Sequence, residues 1–160
     1  MWDPATGQWT ELPSQLRERM YHSTALLLPD GTVLSAGGGK RTDLTSQRNA
    51  EIYSPAYLFQ GDRPVIRFAP DVINYATPFE VTISTPTSAE IDRVTFVRLG
   101  SVTHQFDMDQ RFEELHFDVL TGNTIRVLAP ATPNHAPPGH YMLFLLDEGV
   151  PSIGKYVRIE

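Results

Sequence analysis

The sequence predicts an all-β protein, and three observations carry that prediction. Thirteen prolines and eleven glycines are spread through the 160 residues, which leaves little room for helices of ordinary length. Between them lie short runs rich in β-branched and aromatic residues. Several runs alternate apolar and polar residues with the period of a half-buried strand, as in Phe79-Glu-Val-Thr-Ile83 and Thr124-Ile-Arg-Val-Leu128.

Taken in chain order, strands are expected at 24–28, 32–36, 50–53, 65–68, 79–83, 93–99, 114–119, 124–128, 140–146 and 155–159. The first two should form a hairpin through Leu28-Pro-Asp-Gly-Thr32, where proline presets the turn and Asp-Gly accepts positive φ as the chain reverses. A short helical turn is expected at 14–19. The polar, broken stretch Gln60-Gly-Asp-Arg-Pro64 reads as a junction between two units. Beyond it, roughly 98 residues hold seven candidate strands, the size and strand count of an immunoglobulin-like sandwich. Residues 1–62 hold three or four strands, too few to enclose a core of their own.

An internal echo accounts for the first unit. Trp2-Asp-Pro-Ala5 recurs as Tyr53-Ser-Pro-Ala56, with Gly37-Gly-Gly39 between the two copies. A period of about 50 residues matches the kelch β-propeller repeat, one four-stranded blade per unit. Residues 1–62 are therefore expected to be a partial kelch blade and 63–160 a complete sandwich. A start inside a repeat suggests a piece of a longer protein.

Composition narrows the function classes. Thirteen Lys+Arg against nineteen Asp+Glu leave a formal charge of -6, without the basic cluster that nucleic-acid binding requires. The longest apolar run, 141–146, is far short of the roughly 20 residues of a membrane span. No basic segment followed by an apolar one opens the sequence, so no signal peptide is visible. The absence of cysteine excludes disulfides, thiolate metal sites and cysteine nucleophiles from these residues.

Several motifs then carry a resemblance. The run from Arg19-Met-Tyr21-His22-Ser23 through Leu28-Pro-Asp-Gly to Gly37-Gly-Gly39 resembles the last blade of the galactose oxidase and glyoxal oxidase family, the copper radical oxidases. Ala50-Glu-Ile-Tyr-Ser-Pro-Ala-Tyr-Leu58 resembles the junction that follows. Gly100-Ser-Val-Thr103-His104 with Asp109-Gln110-Arg111 resembles the family's loop in its C-terminal domain. Pro137-Pro-Gly-His-Tyr-Met-Leu-Phe144 and Gly149-Val-Pro-Ser152 resemble its closing strands, and the first of these favours the glyoxal oxidase branch.

The resemblance implies a terminal kelch blade followed by an immunoglobulin-like early set (E-set) domain, from an enzyme that oxidises a primary alcohol or an aldehyde and reduces O2 to hydrogen peroxide. It implies copper as the cofactor, held by Tyr21, His22 and His104, with Tyr21 also the proton acceptor. The family's second tyrosine is cross-linked to a cysteine and lies in blades outside these residues, so the chain is expected to be inactive alone. Its partners would be the missing upstream blades, or another copy of itself through the orphan blade. Family habit points to an extracellular location.

The residue types agree with that ligand set, since imidazole nitrogen and phenolate oxygen suit Cu(II). Adjacent strand residues point to opposite faces, so Tyr21 and His22 can share a metal only at a strand end or twist. Without the resemblance, Tyr21 and His22 would read as packing residues and His104 as a solvated loop histidine. His22 beside Ser23 is a poor nucleophile–base pair, because sequence neighbours are rarely catalytic partners. Asp107 and Asp109 near Arg111 are expected to brace a hairpin through charge-assisted bonds. His116 and His135 have no metal spacing, and His140 should pack. Trp2 and Trp9 are expected in the blade core, or, if exposed, on sugar rings. Glu113-Glu114 should be a solvated turn. The rival reading is a non-catalytic immunoglobulin-like module that binds glycan or packs against a partner.

Overall fold

The computed structural model describes residues 1–39, 46–85, 87–104 and 106–160. The leading hairpin forms as its residues dictate. Strands β1 (Thr24–Leu27) and β2 (Val33–Ala36) pair antiparallel, and β3 (Ala50–Tyr53) completes a three-stranded sheet in the order β1-β2-β3. At the turn, Gly31 has φ of +81°, and Asp30 accepts from both the amide and the hydroxyl of Thr32 at 2.9 and 2.6 Å. Those two bonds hold the Asp30 carboxyl below the usual carboxylate range.

The remainder is a sandwich. Strands β4 (Val65–Phe68), β6 (Pro78–Thr85), β11 (Phe117–Val119) and β12 (Thr124–Leu128) form a four-stranded sheet in the order β11-β12-β6-β4. Facing it is a six-stranded sheet, built from β5 (Val72–Ile73), β7 (Arg93–Arg98), β10 (Phe112–Glu114), β13 (Gly139–Asp147), β14 (Val150–Pro151) and β15 (Lys155–Ile159). Alternation decides the core. Phe79, Val81, Ile83, Ile125 and Val127 from one sheet meet Val94, Phe96, Tyr141, Leu143, Leu145, Val157 and Ile159 from the other. The rings of Phe96 and Tyr141 stack with centroids 4.3 Å apart, and Tyr141 donates its hydroxyl proton to Pro137 O.

The outer face of the six-stranded sheet is also covered. Phe144 and Thr95 point away from the sandwich core and are nonetheless buried. They line a cleft of about 250 Å³ with Leu27, Gly31, Tyr57 and Pro151. Hydrogen bonds from Gly154 N to Pro29 O and from Tyr57 Oη to Gly31 O tie the β1–β2 hairpin to this face. The junction is itself anchored. Arg63 donates to the carbonyls of Pro151 and Ser152, both at 2.8 Å, and Pro64 is fully buried.

Five expectations change. Glu113 and Glu114 are not a solvated turn: they lie in strand β10, paired with Phe96 and Thr95 of β7, and Glu113 is half-buried. Residues 14–19 form no helix: the Leu16 amide donates to Glu51 Oε2 and the Ser35 hydroxyl to Gln15 Oε1, so contacts to neighbouring strands replace a helical ladder. The strand expected at 114–119 is two, because buried Leu115 carries the chain from β10 in one sheet to β11 in the other. Trp2 and Trp9 pair across an isolated bridge and are 51% and 79% exposed, so they are not packed in a blade core. His140 is exposed on β13. Two turns of 3₁₀ helix, Ala56–Phe59 and Ser88–Glu90, and strand β5 were not legible. Among the described residues no helix is long and apolar enough to cross a membrane.

Candidate metal centre

Tyr21 and His22 lie in the turn that leads into β1. The Ser23 amide donates to Met20 O at 3.0 Å and closes that turn, and His22 has φ of +64°. A left-handed residue at this third turn position swings the chain so that successive side chains no longer alternate. The rings of Tyr21 and His22 therefore meet edge to face, with centroids 4.1 Å apart. This answers the strand-parity objection raised by the sequence.

His104 comes from a separate hairpin. Strands β8 (Val102–Thr103) and β9 (Phe106–Asp107) pair antiparallel, and His104 follows β8 with φ of +54°. The hairpin is braced at its base. Asp107 Oδ1 accepts from the amides of Ser101 and Asp109 at 2.9 and 3.1 Å, and Met108 N donates to Ser101 O. Arg98 Nε lies 3.7 Å from Asp109 Oδ2. Asp107 and Asp109 thus brace the hairpin as expected, but the cation is Arg98 instead of Arg111. The neighbouring residue 105 lies outside the described residues.

These two turns converge. The His104 ring lies 4.5 Å from that of His22 and 5.7 Å from that of Tyr21, centroid to centroid. All three residues are exposed, so the cluster is open to solvent. His104 Nδ1 is 2.8 Å from Thr103 Oγ1, a contact that orients the ring and leaves coordination to Nε2. Among the described residues no group of three or more His, Cys, Asp and Glu is placed to hold a metal. The cluster here is two imidazoles and a phenol. That donor set, brought together from two segments, fits Cu(II).

What supports the Tyr21–His22 turn was missed in the sequence. Arg19, with its side chain only 5% exposed, donates to Gly37 O, Asn49 O and Glu51 Oε1 at 3.1, 3.2 and 2.7 Å. Glu51 also accepts from the Leu16 amide. That bond and the Arg19 guanidinium hold its carboxyl below the ordinary value. The Gly39 amide donates to Tyr21 O at 2.8 Å. The triple glycine was visible as a repeat feature, but its contact with residues 19–22 was not.

Comparison with known proteins finds relatives along most of the chain. The family model described as galactose oxidase-like, early set domain, matches residues 63–159. An aldehyde oxidase GLOX of Vitis pseudoreticulata is 34% identical over 157 residues, covering 88% of this chain and 30% of that protein. A galactose oxidase of Gibberella zeae is 34% identical over 148 residues, covering 88% of this chain and 21% of that protein. A solved structure described as a novel fungal alcohol oxidase with catalytic diversity among the AA5 family, in complex with copper, superposes with a TM-score of 0.89 at 30% identity. It covers 99% of this chain and 34% of the other. The chain thus spans about a third or less of the relatives it matches.

Proposed function

The chain belongs to the galactose oxidase and glyoxal oxidase family, and from that premise we propose that it is the C-terminal part of a copper radical oxidase, with Tyr21, His22 and His104 as copper ligands. The observation that carries this reading is the convergence of the three rings within 5.7 Å from two separate turns. In this reading residues 1–62 are the last kelch blade of a propeller, and residues 63–160 are the sandwich that caps it. The parent reaction is two-electron oxidation of a primary alcohol or an aldehyde, with O2 reduced to hydrogen peroxide. The whole protein is extracellular, as is the habit of the family.

The chain's own residues have distinct tasks. His22 and His104 each present an imidazole nitrogen. Tyr21 Oη, on a ring 42% exposed, is reachable by substrate and, as the phenolate that copper coordination would leave, would accept its hydroxyl proton. Copper, when bound, would supply Lewis acidity and accept one of the two electrons that leave the substrate. The other would be accepted by a cysteine-linked tyrosine, and none of the 160 residues is cysteine. The chain alone therefore binds copper without turnover.

Titration with Cu(II) tests this. His22→Ala and His104→Ala should each weaken binding roughly tenfold or more. Peroxide release from galactose, glyoxal or methylglyoxal should stay at background in the copper-loaded chain. Unchanged affinity in both histidine variants overturns the ligand assignment, and copper-dependent peroxide release overturns the inactivity.

A further inference from the structure

We propose that the run Gly37–Gly39, with Gly38 at its centre, is a positioning element for the Tyr21–His22 pair. Its main chain is the floor on which that turn rests, and only glycine leaves room for it. The proposal rests on the copper reading given above.

A β-carbon added at Gly38 would lie 2.9 Å from Met20 N, 3.4 Å from Met20 O and 3.5 Å from Arg19 Cα. All three are main-chain atoms, so no rotamer change relieves the overlap. Residue 38 also has φ of +116°, and its neighbours Gly37 and Gly39 have +70° and +75°. Side chains rarely accept such backbone. The floor is bonded to the turn on both sides: Gly39 N donates to Tyr21 O at 2.8 Å, and Arg19 Nη1 donates to Gly37 O at 3.1 Å. From the far side, Gln47 N donates to Gly38 O and Ser46 Oγ to Gly39 O.

The consequence is geometric. Tyr21 and His22 directly follow Met20, so a shift of Met20 moves both rings. His104 stands on another hairpin and does not move with them. A metal site tolerates displacements of only about 0.2 Å in its ligand distances. A methyl group at position 38 therefore separates one histidine from the other without touching either.

The experiment titrates the full chain with Cu(II) and records its electron paramagnetic resonance spectrum. Gly38→Ala should weaken copper binding by about 10- to 100-fold, the range found when supporting residues of metal sites are lost. The nitrogen hyperfine pattern should change from two imidazoles towards one. In a Tyr21→Phe, His22→Ala background, Gly38→Ala should cost nothing further, because the element acts through those residues. An equal loss in both backgrounds, or unchanged affinity and spectrum in Gly38→Ala, overturns the proposal.

Amide spectra of β1–β3 report whether the sheet survives. If Gly38→Ala loses the sheet, Arg19→Lys decides, since it keeps a cation for Glu51 but loses the fork to Gly37 O and Asn49 O. Weaker copper binding with an altered spectrum then supports the proposal, and wild-type behaviour overturns it. Wild-type copper binding that ignores His22→Ala and His104→Ala overturns the copper reading and this proposal together. Binding that needs both histidines but ignores Gly38→Ala overturns this proposal alone.

Discussion

His22 and His104 lie 4.5 Å apart, ring to ring, and each sits at positive φ, +64° and +54°. Left-handed backbone at a residue other than glycine costs of order 1–3 kcal/mol and persists where surrounding bonds over-determine it. Here those bonds are Ser23 N to Met20 O, Gly39 N to Tyr21 O, and the Thr103 Oγ1–His104 Nδ1 contact.

Strain and ligation should therefore separate at position 22. Asparagine tolerates left-handed backbone and valine does not. His22→Asn should lose copper binding with little change in stability, whereas His22→Val should lose copper and about 1–2 kcal/mol of stability. Urea denaturation followed by the signal of the first sheet checks the difference.

The Arg19–Glu51 pair makes the first sheet acid-sensitive. The folded-state carboxyl of Glu51 titrates below its ordinary value of 4.5, through the Leu16 amide first and the Arg19 bonds after it. Its contribution is therefore complete above 4.5 and is lost as pH falls through the lower folded-state value. Hydrogen exchange at the Leu16 amide should accelerate in that window, and Glu51→Gln should remove the pH dependence. An amide rate that follows only the intrinsic pH dependence would contradict it.

Asp147 behaves in the opposite sense. Burial first, then Glu148, Glu90 and Asp92, raises its carboxyl above the ordinary value. A raised carboxylate is a liability at neutral pH, and that liability is relieved as acid protonates it. Asp147→Asn should raise Tm by about 1–2 °C at pH 7, with the advantage shrinking at pH 4. A lower Tm at pH 7 would refute this account.

Core and surface aromatics should differ sharply in the sandwich. Phe96 is fully buried and stacked on Tyr141, so Phe96→Ala should cost about 3–5 kcal/mol. Phe106 on the His104 hairpin is 70% exposed, and Phe106→Ala should change stability by about 0.5 kcal/mol or less. Equilibrium urea unfolding measures both.

The first sheet should mediate self-association. One of its faces carries an open cleft of about 590 Å³ lined by Leu12, Leu16, Val33, Ile52 and Tyr53, with Leu16 and Ile52 exposed. Unpartnered apolar surface beside free strand edges favours pairing with a second copy. Light scattering should show concentration-dependent mass that Leu16→Glu and Ile52→Lys reduce. A monomeric mass at every concentration would remove this expectation.

Most of the longer strands and the hairpin at Leu28–Thr32 were legible in the sequence because they depend on near neighbours, whereas the two-residue strands 72–73, 102–103, 106–107 and 150–151 were not. Alternation at Phe79–Ile83 encodes one buried face wherever that strand ends up, and Asp30-Gly31 encodes its own turn. The absence of cysteine likewise settled, without coordinates, that no cysteine-linked tyrosine forms within these residues. The motifs around Tyr21, His22 and His104 named the three candidate ligands. They could not show that the rings meet, because Tyr21 and His22 were read against strand alternation and His104 belongs to another hairpin. Only tertiary structure decided that convergence, the close approach of Gly38 to Met20, and the change of sheet at Leu115. Each depends on how elements distant in the chain pack against one another, and local residue patterns carry no distance across that packing.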